Sequence, residues 1–412
     1  MRSEWNFTPV GDLISYLSKG IPPSYVDTVS NTTICVLNQK CNRDNKITFE
    51  NSRLHDTAKK IVSEEKLLKD NDILINSTGT GTAGRIAQIN QVSFPITVDG
   101  HMIIVRANEK INPIYLGYYL KMQQFLIEQL AEGSTGQTEL NRKRFCTEII
   151  IGYPSDYNEQ KAIAAVLSAL DDKIELNNRI NQKLEEMAQA IFKSWFVDFE
   201  PFQDGEFLES ELGLIPKGWS VKSLSECCST ITRGITPKYD ENTNQIVINQ
   251  KCIRNHEVNL APARRHKPKA ITDKWLKYGD VLVNSTGQGT LGRTAQWFGT
   301  QQNITVDSHI TIVRPVDSSL VCFLGQLIMS REIEIENMAS GSTGQTELSR
   351  ERVGSMCILL PDTDSLQKFS AIVQPLMNAA IYRNEEVTRL SNIRDSLLPK
   401  LMSGEITFRL EV

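Results

Sequence analysis

The sequence predicts an α+β chain built from two copies of one mixed domain, each followed by a long helix. Three observations carry this. Asn76-Ser77-Thr78-Gly79-Thr80-Gly81-Thr82-Ala83-Gly84-Arg85-Ile86-Ala87-Gln88 returns 208 residues later as Asn284 through Gln296, identical at 10 of 13 places. Gly133 through Leu140 is copied without change as Gly341 through Leu348. Each copy then runs into a helix-period apolar stripe. Solenoid repeats recur every roughly 20–50 residues, so an interval this long marks a duplicated domain presenting the same kind of surface twice.

Each copy has the same order. An extended start, Ile21-Pro22-Pro23-Ser24-Tyr25 or Ile235-Thr236-Pro237-Lys238-Tyr239, precedes a shared Asn-Gln-Lys-Cys block at Asn38–Cys41 and Asn249–Cys252. A diverged segment follows, and then a β-like run, Asp72-Ile73-Leu74-Ile75 or Asp280-Val281-Leu282-Val283. After the glycine block come Thr97-Val98-Asp99-Gly100-His101 or Thr305-Val306-Asp307-Ser308-His309 and another strand-like stretch. The offset shrinks from 214 to 211 to 208 residues, so insertions and deletions fall between the matched blocks.

Asp156 with Glu159, and Asp364 with Gln367, read as capping boxes that open two helices. From Gln160 to Phe196 there is no Pro or Gly, and Leu167, Leu170, Ile174, Ile180, Leu184, Met187 and Ile191 form the stripe. In the second copy Leu376, Ala380, Val387, Leu390, Leu397 and Leu401 do so, interrupted by Arg383 and Arg394. Two such stripes are best buried against each other as an antiparallel coiled coil, with Asn177, Asn178 and Asn181 fixing its register. The alternative is that each helix packs on its own globular domain. The expected domains are 1–155, 156–213, 214–361 and 362–412, related by pseudo-twofold internal symmetry.

Composition is ordinary for a globular protein, 40% hydrophobic and 23% charged. The first residues carry no apolar h-region, and no apolar stretch is long enough to span a bilayer. The eight cysteines include no CxxC pair, which points to buried free thiols in a reducing cytoplasm. Net charge is −4, but unevenly spread: +1 over 1–155, −8 over 156–213, +4 over 214–361 and −1 over 362–412. The acidic segment would repel phosphates and is suited to solvent or another protein.

Several motifs suggest chemistry without completing it. Gly79 to Gly84 and Gly287 to Gly292 match GxGxxG, but Arg85-Ile86-Ala87-Gln88-Ile89 alternates like a strand, so a hairpin is expected rather than a dinucleotide loop. Asn112-Pro113-Ile114-Tyr115 is similar to the NPPY signature of adenine methyltransferases but lacks its second Pro, and Leu320–Phe323 in the other copy shares nothing with it. Glu159-Gln160-Lys161 matches half of a nuclease site, yet the other copy reads Leu366-Gln367-Lys368. His101 and His309 lack further ligands at metal spacing. No catalytic or metal constellation is expected.

Where Tyr153-Pro154-Ser155-Asp156-Tyr157-Asn158-Glu159-Gln160-Lys161-Ala162-Ile163-Ala164 follows the GSTGQ block, the chain resembles the specificity subunit of type I restriction–modification systems. The resemblance covers essentially the whole chain, as two target-recognition domains alternating with two long helices. It implies a cytoplasmic, prokaryotic DNA-reading adapter without catalysis or cofactor of its own. One half of a bipartite double-stranded site would be read by each recognition domain, with the helices as the ruler between them. Two methyltransferase subunits, carrying S-adenosylmethionine, and restriction/translocase subunits, using ATP and Mg2+, would be its partners.

Blocks identical in both copies cannot distinguish two different half-sites. Ser134, Thr135 and Gln137, their counterparts Ser342, Thr343 and Gln345, and Arg85 with Arg293 are therefore expected at the scaffold or the phosphates. Lys40, Arg43, Lys251 and Arg254, in and beside the Asn-Gln-Lys-Cys blocks, join the DNA-binding candidates. Base readout is expected in the diverged segments, about 44–70 and 255–277, the second holding Arg264, Arg265, Lys267 and Lys269. A self-contained DNA methyltransferase or nuclease, and a scaffold that binds no DNA, remain as alternatives. Assaying the chain alone for methylation or cleavage tests the first, and a gel shift in moderate salt the second.

Overall fold

Successive residues of a strand face opposite sides of its sheet, so Ile73 and Ile75 can enter one core while Leu74 enters another. The computed structural model shows this arrangement twice; it describes residues 4–133, 138–268, 273–340 and 346–407. Two units emerge, one of residues 1–175 with 387–412 and the other of residues 176–386.

In the first unit, Ile14–Lys19, Met102–Ala107, Ile73–Asn76 and Ile86–Gln88 form an antiparallel sheet in that order. One face packs Ile73, Ile75, Ile103 and Val105 with Tyr115, Phe145, Ile163 and Leu167, and with Leu401 and Met402 from the second long helix. The other face packs Leu74, Met102 and Ile104 on Leu37, Ile96 and Val98 of a second sheet. Each such fully buried side chain contributes about 1.5–3 kcal/mol. That second sheet runs Ile96–Val98, Thr33–Leu37, Arg53–Asp56 and Tyr25–Val26.

The second unit repeats the plan. Cys228–Arg233, Ile310–Pro315, Val281–Asn284 and Thr294–Gln296 form its first sheet. Its other sheet is Arg264–His266, Gln245–Ile248 and Ile304–Val306, with Tyr239 bridged to His266 where the first unit has a fourth strand. In both units the glycine block joins two antiparallel strands, Ile75 opposite Ile86 and Val283 opposite Thr294. It is a hairpin connection, as its sequence implied. Gly84 and Gly292 sit at φ +88° and +85°, where an added Cβ would lie 2.6 Å from Glu128 Cα and 2.8 Å from Glu336 Cβ. Only glycine lets this hairpin lie on the following short helix.

The two long helices are Tyr157–Phe196 and Thr363–Met402. Asp156 caps the first as expected, its Oδ1 accepting the Asn158 N–H at 2.8 Å. The second cap corrects the sequence reading: Asp362, not Asp364, accepts from the Ser365 N–H at 2.8 Å. The chain enters this helix two residues sooner, and Asp364 instead pairs with Lys368 at 2.6 Å.

Within the second unit Asn177 bonds Glu386 at 2.8 Å and Asn181 bonds Asn384 at 2.6 Å, while Phe196 packs edge-on against Phe369 at 4.8 Å. Residue numbers rise along one helix as they fall along the other, so the pair is antiparallel. In the first unit Arg394, which interrupts the apolar stripe, reaches Asp171 at 2.7 Å. The expected stripe is partly displaced. Met187 is exposed and Ile180 half-buried, whereas Asn177 and Asn181 lie in the seam. Asn178, read with them, faces solvent. All eight cysteines are free thiols; four are buried, but Cys357 is exposed, contrary to a uniformly buried set.

Candidate nucleic-acid interface

Shared blocks that lie far apart in sequence converge on one junction in each unit. Gln39 Nε2 donates to the Thr78 carbonyl at 2.5 Å and to Thr78 Oγ1 at 2.7 Å. That hydroxyl lies 2.9 Å from His101 Nδ1. Because the carbonyl only accepts, the Gln39 amide is oriented with its NH2 toward Thr78. The His101 residue is itself exposed. The third block closes the junction, with Leu140 N–H bonded to Ser77 O at 2.7 Å and Glu139 paired with Lys19 at 2.6 Å.

In the second unit Gln250 donates to the Thr286 carbonyl and hydroxyl, and Thr286 Oγ1 lies 2.8 Å from His309 Nδ1. Leu348 N–H bonds Ser285 O at 2.8 Å, and Glu347 pairs with Arg233 at 2.8 Å. Burial pushes the carboxyls of Asp99 and Asp307 up, while each accepts the backbone N–H of its histidine at 2.9 Å.

The basic candidates are placed unequally. Lys40 and Lys251 are exposed on the capped turn that carries Gln39 or Gln250, and Arg43 and Arg254 project from the adjoining tight hairpin. Arg85 turns back on its own loop, its guanidinium bonding Gly81 O at 2.9 Å. Arg293 makes no side-chain hydrogen bond among the described residues. Ser134, Thr135, Gln137, Ser342, Thr343 and Gln345 lie outside the described residues, as does Lys269. The junctions nevertheless bring the flanks of both segments to Thr78 and Thr286.

Arg264, Arg265 and Lys267 are exposed at the edge of the second sheet, but strand alternation puts Arg264 and Arg265 on opposite faces. Sheet register also redraws the diverged segment. Val36 opposes Arg53 as Val247 opposes Arg264, and Ile34 opposes His55 as Gln245 opposes His266. The offset of 211 residues thus runs unbroken from Ile34 to His55, and Arg264 has a counterpart, Arg53. Each stacks on a tyrosine of the extended start, Arg53 on Tyr25 at 3.5 Å and Arg264 on Tyr239 at 3.6 Å. Sequence reading missed Arg53 and both tyrosines; extending the 211-residue offset past Cys41 reaches Arg53, while the tyrosines keep the 214-residue offset of the extended starts.

The motifs suggesting catalysis have structural explanations. Asn112 caps a helix, its Oδ1 accepting from Ile114 and Tyr115 at 3.1 Å. Gln160 ties that cap to the long helix, Oε1 accepting from Asn112 N–H at 2.8 Å. Among the described residues no group of three His, Cys, Asp or Glu could hold a metal, and no helix is long and apolar enough to cross a membrane.

Residues 2–186 match the family model of the type I restriction modification DNA specificity domain. The type I restriction enzyme MjaIX specificity subunit of Methanocaldococcus jannaschii is 31% identical over 363 residues, 83% of this chain and 81% of that relative. The chain belongs to the type I restriction enzyme specificity subunits. The HindI specificity subunit of Haemophilus influenzae is 23% identical over 98% of this chain and 100% of its own length. A solved specificity subunit from M. genitalium shares the fold, with TM-score 0.57 and 18% identity over 97% of this chain and 96% of that one. As a specificity subunit, the chain is a DNA-recognition component and not a catalytic one.

Proposed function

We propose that the chain reads a bipartite double-stranded DNA target, one half with each globular part, and docks two methyltransferase subunits through its long helices. The observation that carries this is the duplicated junction: Gln39, Thr78 and His101 recur as Gln250, Thr286 and His309 with the same bonds. Two equal scaffolds with unequal flanks suit two half-sites of different sequence. Recognition domains at 1–155 and 214–361, joined by helical parts at 156–213 and 362–412, would give the chain pseudo-twofold symmetry. S-adenosylmethionine, ATP and Mg2+ then belong to the methyltransferase and restriction/translocase partners.

The phosphate contacts fall to the shared Lys40, Arg43, Lys251 and Arg254, which are exposed on equivalent turns. Base readout falls to positions where the copies differ, such as Arg265 and Lys267, whose equivalents in the other unit are Leu54 and Asp56. The test is to map methylated adenines on DNA treated with this chain and its methyltransferase subunits. Two short defined blocks separated by a fixed unspecified spacer are expected. One contiguous block would overturn the bipartite reading.

A further inference from the structure

The strand carrying Arg53 and the strand carrying Arg264 end on the same construction. Tyr25 stands opposite His55 and Tyr239 opposite His266, and the arginine two residues earlier lies over the tyrosine ring. In the first unit His55 anchors this edge, Nδ1 accepting the Ser24 N–H at 2.8 Å and Nε2 meeting Lys60 O at 2.8 Å. A guanidinium lying flat on a ring has one face covered, and its N–H donors fan out in its own plane. Those donors are little used. The Arg53 side chain makes no hydrogen bond or ion pair among the described residues. Among the described residues the donors of Arg264 meet only Glu241, at 3.5 Å, between side chains 49% and 67% exposed.

The neighbours of this arginine differ between the units while the stack does not. Leu54 in one is Arg265 in the other, and Asp56 is Lys267. A residue kept at one position over two different half-sites serves both only by touching what they have in common, the sugar-phosphate backbone. We propose that Arg53 and Arg264 each grip one DNA phosphate with a forked pair of hydrogen bonds, with Tyr25 and Tyr239 as the platforms that fix the guanidinium planes. This rests on the reading of the chain as a DNA-recognition subunit with two half-sites. It moves Arg264 from base reader to backbone contact, and leaves Arg265, on the opposite face, to the bases.

The test uses the full chain assembled with its methyltransferase subunits. Binding is measured across a salt series on target duplex, on duplexes with either half-site scrambled, and on unrelated duplex. Arg53→Ala and Arg264→Ala should each weaken binding to every duplex by the same factor, about tenfold. Each should also reduce the slope of log affinity against log salt by about 0.9. Arg53→Lys should restore the slope but only part of the affinity, and Tyr25→Ala should behave as a weaker Arg53→Ala. Unchanged affinity and slope in folded, partner-bound variants would overturn the proposal. So would a loss confined to duplexes with one intact half-site, which would make the arginine a base reader. A wild-type complex that does not separate target from unrelated duplex would instead overturn the parent reading.

Discussion

Arg314 grips Asp280 with two parallel bonds, Nε to Oδ1 and Nη2 to Oδ2, each 2.7 Å long. The carboxylate is fully buried, and its Oδ2 also accepts the Lys277 N–H at 2.8 Å. Arg106 and Asp72 repeat the pair in the first unit at 2.8 and 2.6 Å, where the bond to Asp72 holds the guanidinium of Arg106 more firmly protonated.

Removing one member of such a pair leaves a buried charge without its counterpart, which costs about 3–5 kcal/mol. Asp280→Asn is therefore expected to destabilise the second unit by that order, and Asp72→Asn the first. Denaturant melts followed by tryptophan fluorescence measure it. A loss under 1 kcal/mol in both would show that water reaches these pairs.

The seam asparagines carry the opposite expectation. Among the described residues Asn181 Oδ1 is buried without a partner, and Asn181 Nδ2 donates to Asn384, a residue exposed to solvent. Asn181→Leu should therefore melt at the same temperature or higher, by up to about 1 kcal/mol, while the pairing of the two helices becomes less strictly registered. Cross-linking cysteines placed along both helices reads the register directly. A single unchanged cross-link pattern in the variant would remove the asparagines from that role.

His256 connects the second unit's hairpin to two carboxylates. Its Nδ1 bonds Glu185 of the first long helix, and its Nε2 lies 3.6 Å from Glu332. These two carboxylates, Glu185 foremost, raise its pKa from 6.5 to about 9. A histidine raised on folding stabilises fully below its unfolded pKa, and the contribution is lost as pH rises through the folded value. Stability of the second unit should thus fall between about pH 6.5 and 9, by at most about 3 kcal/mol. His256→Gln should flatten that slope in thermal melts taken across this range. An equal slope in the variant would assign it to another group.

Both long helices contribute to both units, so a change of spacing must be matched. Insertions between Glu175 and Leu176 and between Glu386 and Val387 leave each unit's own residues intact. Three heptads in each keep the seam in phase and add roughly 31 Å of helix, close to the 34–36 Å of one DNA turn. If the helices set the distance between half-sites, the preferred spacer should lengthen by about nine or ten base pairs, with the half-site bases unchanged. One heptad, about 10 Å, should instead bind poorly at every spacer, because it puts one half-site on the wrong face of the duplex. Selection from a variable-spacer library measures both, and an unchanged spacer would mean that something other than the helices sets it.

The duplication, the hairpin at Gly79–Gly84 and the cap at Asp156 were legible because each depends on neighbours in sequence. Asp362 was missed since Asp364 has the same chemistry and the entry turn is two residues shorter. The seam position of Asn181 was harder to see, because burial of a polar side chain depends on what the other helix offers. The shared junction was legible as three blocks but not as one place; only the sheets bring Gln39, Thr78 and Glu139 together. Arg53 was hidden because the residues around it had changed while its cross-strand partner Val36 had not.

The core of the first unit contains Leu401 and Met402 beside Ile163 and Leu167. Between these contributions the chain builds the whole of the second unit. A ribosome therefore releases the first sheet and its hairpin long before the side chains that finish their packing exist. During that interval Ile163 and Leu167 lack part of their cover, and the emerging protein is an open client for chaperones and proteases. Premature termination anywhere in the second helix then removes more than a tail: it leaves the earliest-made part of the protein unfinished.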